Sequence, residues 1–160
     1  MRKKHIWLII PIISFIFLND LIINNKIPLG NDLVALRPIG KWIETVNELS
    51  DEFPQWFPNL FSGMPSYGGY IYTPGDPTKT ILNLIFFNRG IRIWFYLTLS
   101  GLGLFYFLRQ LNVSIMASVF SGIVSCLTPY AFGLINAGHM NKIYAMAFIP
   151  WVLMGAFQVE

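Results

Sequence analysis

Two groups of residues in this 160-residue chain have the types and spacing for chemistry. Asp32 follows Gly30-Asn31 shortly after the first long apolar run. A carboxylate there can take a proton from an attacking hydroxyl, or hold a divalent cation that neutralises a departing phosphate. An Asp after Gly-Asn is equally suited to a turn or a helix cap. The second group is Asn136, His139 and Lys142, in the polar stretch Asn136-Ala-Gly-His-Met-Asn-Lys142. An amide beside cationic groups suits a phosphate, by hydrogen bonding and by charge, although a lone loop histidine is more often simply solvated. Arg37 is a similar cation, fitted either to a ligand phosphate or to anchoring a helix at lipid head groups. Trp56, Tyr67 and Tyr70 offer flat faces that can stack on a sugar ring, and an interfacial aromatic belt explains them more cheaply. Asp20 is a rival carboxylate at the outer end of the first apolar run, where Asn19 and Asn24-Asn25-Lys26 place it near an interface. No glycine-rich nucleotide loop, Cys/His metal cluster or Ser–His–Asp set is present in the sequence.

The elements that must position these groups are apolar helices. Hydrophobic residues make up 54% of the chain and charged residues 12%, against roughly a quarter charged in a soluble domain. The net charge of +3 is too small and scattered to suggest nucleic acid. The single cysteine, Cys126, lies in an apolar run and reads as a packed side chain; it has no partner for an internal disulfide. Runs of about 20 apolar residues can cross a bilayer as helix, and four occur, at 6–23, 91–108, 113–135 and 143–158. The first, behind Arg2, Lys3 and Lys4, reads as an uncleaved anchor rather than a signal peptide, since no small-x-small site follows it. Pro11 is expected to kink it. The Gly101-Leu-Gly103 pair and the small residues Ala117, Ser118, Ser121, Gly122 and Ser125 suit close helix packing. The last run barely reaches crossing length, so residues 1–160 are expected to be the N-terminal part of one multi-span membrane domain. Basic residues at 2–4 and Arg109 place the N-terminus in the cytoplasm, with Arg89, Arg92 and Lys142 arguing the other way.

Between the first two runs lies a long loop, 24–89, facing outward in this topology. It holds the acidic residues Asp32, Glu44, Glu48, Asp51, Glu52 and Asp76. Within it, Pro38 suits the first turn of a helix, and Ile39, Trp42, Ile43, Val46 and Leu49 recur at helical spacing. Lys41, Glu44, Glu48 and Asp51 take the other positions. That pattern predicts an amphipathic surface helix. The following segment, Phe53 to Tyr70, has prolines at 54, 58 and 65 and glycines at 63, 68 and 69, which prevent any long regular element. Its aromatic density suits an ordered, non-helical loop packed on helices.

The order of Gly30-Asn-Asp32-Leu, Pro54-Gln-Trp56, Phe61-Ser-Gly-Met-Pro65 and Ala137-Gly-His139-Met-Asn-Lys142-Ile-Tyr-Ala-Met-Ala-Phe-Ile-Pro150 resembles the bacterial YfhO-type membrane proteins, over essentially all of the chain. That resemblance implies an all-α polytopic fold of about four transmembrane helices here, the GT-C-like N-terminal part of a longer glycosyltransferase of the bacterial cytoplasmic membrane. It implies a polyprenyl-phosphate-linked sugar donor, an envelope glycan or polymer acceptor, and an acidic residue in the first outer loop, which by position is Asp32. Arg37, Trp56, Asn136, His139 and Lys142 would then be substrate-binding, and Asp32 would also be the ligand of any divalent cation. The competing expectation is a non-catalytic membrane protein, a transporter subunit or envelope assembly factor, whose outer loop binds a partner.

Overall fold

The computed structural model is mostly helical. It describes residues 3–24, 26, 30–50, 54–58, 62–65, 81–82, 84–86 and 88–158, with the backbone alone at Lys3, Lys4, Asn31, Asp32, Leu33, Ala35 and Leu36. In chain order the helices are α1 (Ile9–Phe17), α2 (Asn19–Ile23), α3 (Asn31–Ser50), α4 (Arg89–Gln110), α5 (Ile115–Cys126), α6 (Pro129–Ala137) and α7 (Met140–Ala156). Two short strands, β1 (Trp56–Phe57) and β2 (Met64–Pro65), lie between α3 and α4. The chain divides into two compact units, Met1–Gly30 with Phe86–Glu160, and Asn31–Ile85.

The first unit is organised around α4. This 22-residue helix and the 23-residue stretch Ile115–Ala137 are long and apolar enough to cross a membrane. Only 39% and 28% of their apolar windows are buried, whereas the core helix of a soluble domain would be mostly enclosed. Asn88 starts α4: its Oδ1 accepts from the backbone N–H of Gly90 (2.7 Å) and Ile91 (3.2 Å), satisfying two donors that a helix start leaves open. Its Nδ2 donates to the Ile22 carbonyl at 2.9 Å, tying α4 to the end of α2.

The first apolar run forms in three pieces rather than one. Lys3–Leu8 is a 3-10 turn, α1 follows, and Leu18 (φ −100, ψ 13) separates α1 from α2. Pro11 explains the tight turn before it, because in an α-helix its ring would clash with the carbonyl of Trp7, four residues back. The departures from helical geometry accordingly fall at His5 and Leu18, and Pro11 itself lies within α1. The third run, expected as a single helix over 113–135, is likewise broken. Pro129 cannot continue α5, and it starts α6 after Leu127 and Thr128.

Side-chain pairs fix the register of the first unit. The Ser14 and Thr98 hydroxyls are 2.9 Å apart and buried, and the Trp94 indole donates to Ser14 Oγ at 3.1 Å. With Leu21 against Gly90, these make α1 and α2 antiparallel to α4. On α5, Ser125 bonds Ser100 at 3.0 Å, and Gly122 and Cys126 press on Gly101. The run of small residues does bring two helices together, with Ser118 and Gly122 buried and Ala117 on the outside. α7 runs parallel to α4: Tyr144 stacks on Tyr96 at 4.4 Å, the Trp151 indole donates to the Leu99 carbonyl at 3.0 Å, and Phe107 meets Phe157. Buried side chains gather around Ile93, Leu97, Leu134 and Ile143, and again around Ile10, Phe105, Val119 and Cys126.

In the second unit α3 starts at Asn31, about two turns before Pro38. Pro38 therefore sits inside the helix instead of in its first turn. The residues from Asn31 to Arg37 include no helix breaker, and Asn-Asp suits the positive end of a helix. Pro38 leaves the Val34 carbonyl without its usual donor. The amphipathic pattern holds for most of the length: Ile39, Trp42, Ile43 and Val46 are half-buried, while Arg37, Lys41, Glu44 and Glu48 are exposed. Leu49 departs from it at 83% exposure, and Asp51 lies outside the described residues. β1 and β2 pair antiparallel, Trp56 with Pro65 and Phe57 with Met64. Phe57 is buried and its ring lies 5.4 Å from that of Trp42, so the strand pair packs on α3.

Candidate functional site

Asn136, His139 and Lys142 were expected in a loop. The structure replaces most of that loop with two helices joined at Gly138 and His139. Gly138 has φ +95, a left-handed conformation that a residue without Cβ adopts freely. Its N–H and that of His139 both bond the Leu134 carbonyl at 2.9 Å, closing the end of α6. Asn136 therefore sits exposed in the last turn of α6, Lys142 exposed in the first turn of α7, and His139 half-buried at the junction. The tight turn brings all three to one end of the first unit. Gly30 reaches the same place, its Cα facing the Asn136 and Ala137 carbonyls so closely that a Cβ would overlap both.

Other charged groups collect at this end. Asp20 is exposed, accepts from Asn24 Nδ2 at 2.6 Å and pairs with Lys26 at 3.7 Å. Arg89 and Arg92 begin α4. The Arg92 guanidinium donates to the Phe86 carbonyl and bonds the Tyr144 hydroxyl, with Arg89 close enough to act on that hydroxyl electrostatically. In the sequence Arg89 and Arg92 stand out only as topology charges. Their three-residue spacing at the head of an apolar helix, on one side of it, was the signal that could have found them.

The second unit holds the other candidates. Asp32 falls in the first turn of α3, with its side chain outside the described residues. Arg37 is exposed, beside Pro38. Trp56, in β1, is 53% exposed, and its indole covers Gly63, where φ is +114. Tyr67 and Tyr70 lie outside the described residues. Among the described residues no group of three or more His, Cys, Asp or Glu converges on one point; a cation at Asp32 is an expectation of the sequence alone.

A groove of about 450 Å³ also opens between α4, α5 and α7, lined by Ser100, Ser121, Ser125 and Thr128 with Phe120 and Met146 among its apolar walls. Among the described residues no titratable side chain lines it. Compared with known proteins, the chain matches no family model, no curated protein and no solved structure.

Proposed function

We propose that this chain is the N-terminal part of a multi-span glycosyltransferase of the YfhO type, in the bacterial cytoplasmic membrane. It would move a sugar from a polyprenyl-phosphate carrier to an envelope glycan or polymer at the extracytoplasmic face. The membrane half of the proposal rests on the outer faces of the first unit. Ile12 and Ile16 on α1, Met116, Phe120 and Val124 on α5, and Ile149 and Val152 on α7 are all more than half exposed. Large apolar side chains this exposed on three helices are unfavourable in water and suit lipid. The four apolar stretches also run alternately up and down, as successive crossings must.

What supports the enzyme reading is the order of Gly30-Asn-Asp32, Pro54-Gln-Trp56, Phe61-Ser-Gly-Met-Pro65 and the 137–150 stretch in the sequence; within the first unit, Asn136, His139 and Lys142 gather at the α6–α7 turn. In this reading Asp32 is the base that accepts the acceptor's proton, or the ligand of a divalent cation. In the same reading Asn136, His139 and Lys142 hold the donor phosphate, and Arg37 and Trp56 are substrate-binding. The test is Asp32→Asn in the full-length protein. Envelope glycosylation should disappear while membrane insertion persists. Unchanged glycosylation would remove Asp32 from catalysis and favour a non-catalytic partner-binding protein.

A further inference from the structure

Four helices of the first unit meet around one small interior cavity of about 20 Å³. Its walls include Ser100 on α4, Ser125 on α5, Thr128 in the α5–α6 connection, Ala131 on α6 and Ala147 on α7. A bound water needs roughly 10–15 Å³ of such space and two to four polar partners. The cavity therefore has room for one water and for no organic ligand. Three hydroxyls supply the partners. Those of Ser100 and Ser125 are 3.0 Å apart, and that bond uses only one of their two protons. Thr128 precedes α6 without giving it a side-chain cap bond, which leaves its hydroxyl to other partners.

The backbone of the break adds to the demand for a polar guest. α5 ends at Cys126 and α6 starts at Pro129. Pro129 has no N–H, so the Ser125 carbonyl lacks the donor that a continuous helix would supply. Lipid offers nothing in its place. Proline breaks inside a bilayer are tolerated where hydroxyl side chains and ordered waters take over the freed groups. The groove of about 450 Å³ between α4, α5 and α7 shares Ser100, Ser125, Thr128 and Met146 with the cavity, so the two adjoin.

We propose that this cavity binds one structural water, which bridges the Ser100–Ser125 pair to Thr128 and holds α4, α5 and α6 together across the break. A neutral guest fits better than an ion. The last turn of α5 and the first turn of α6 bring opposite ends of two helix dipoles to the same place, so neither sign of charge is favoured there. The site requires neither Asp32 nor sugar transfer and stands apart from the enzyme reading.

A density map of the full-length protein, at a resolution that shows ordered water, should hold one peak within hydrogen-bond reach of the Ser100, Ser125 and Thr128 oxygens. Thr128→Val keeps the shape of the side chain and removes its hydroxyl. It should lower the ratio of folded to unfolded protein in detergent about fivefold and remove the peak. Thr128→Ser should keep the peak and stay close to the parent in stability. A parent map without a peak in the cavity overturns the proposal. So does a Thr128→Val protein at least as stable as the parent, the result for a dry cavity, where losing a hydroxyl costs nothing. Where Thr128→Val does not fold, the parent map alone decides.

Discussion

Gly30 lies against the backbone of Ala137, with no room between them for a side chain on Gly30. The obstruction is main chain on the far side, the Asn136 and Ala137 carbonyls, which cannot swing away as a side chain can. Gly30→Ala should therefore destabilise the first unit by about 1–3 kcal/mol, the usual range for overpacking. Gly133→Ala meets nothing within 4 Å and should be neutral or stabilising. Thermal denaturation of the full-length protein in detergent checks the pair. Equal midpoints for the two variants would remove Gly30 from the packing of this end.

A second prediction concerns the polar contact inside the apolar bundle. Trp94 and Ser14 share a bond of 3.1 Å, and the same Ser14 hydroxyl meets Thr98 at 2.9 Å and the Pro11 carbonyl at 3.1 Å. Trp94→Phe and Ser14→Ala should each cost about 0.5–1.5 kcal/mol. Because both act through one hydroxyl, the double variant should cost less than the sum. A double-mutant cycle of unfolding free energies in detergent tests this; strict additivity would mean that the indole and the hydroxyl do not interact.

The α4–α5 contact has its own reporter in Cys126, which is fully buried beside Gly101. Thiol labelling of the native protein should be slow. Gly122→Leu, which drives bulk into Ile10 and the Gly101 carbonyl, should accelerate maleimide labelling roughly tenfold, since each 1.4 kcal/mol of lost packing raises the open population by that factor. Labelling at the parent rate would place the helix contact elsewhere.

In the second unit, Gly63 is constrained twice, by φ +114 and by the Trp56 indole resting on it. Gly63→Ala should cost about 1–2 kcal/mol from the backbone alone and release the indole. Limited proteolysis should then nick the β1–β2 connection faster, with a shift in Trp56 emission. Ser62→Gly, at φ +61, should do the opposite. Identical nicking rates in both variants would show that the strand pair does not depend on this turn.

Which features were legible in the sequence depends on whether they are local. Apolar run length marked out α4 and α7 to within a few residues at either end. The stripe Ile39, Trp42, Ile43 and Val46 gave the buried side of α3, because helical periodicity needs no partner to be read. The start of α3 lies earlier than expected because proline's preference for a first turn is a statistical one, and the helix runs through an exposed Pro38 eight positions in. The breaks at Leu18 and Thr128 were invisible to a hydropathy window, which averages over them. The turn at Gly138 looked like a loop because its polar residues are really the ends of two helices. Arg89 and Arg92 stand three residues apart at the head of an apolar helix, a spacing legible in the sequence, whereas their parallel neighbour α7 is a contact between non-adjacent segments and leaves no mark on local sequence.

The break between α5 and α6 also bears on how the chain is made. At 1.5 Å per residue, α5 and α6 are only about 18 and 14 Å long, and neither alone spans a hydrocarbon core of about 30 Å. Together they form a 23-residue stretch long and apolar enough to cross, so in a membrane the two pieces would have to enter as one. The close α4–α5 turn, where Asn112 adopts φ +59 and Arg109 donates to the Val113 carbonyl, offers a way through. With that turn made, α5 and α6 can enter as the trailing arm of a helical hairpin led by α4, their shared groove of hydroxyls already shielded by Ser100. Biogenesis of the third apolar run would thus be coupled to the second, and a lesion in α4 would appear first as a failure of α5 and α6 to insert.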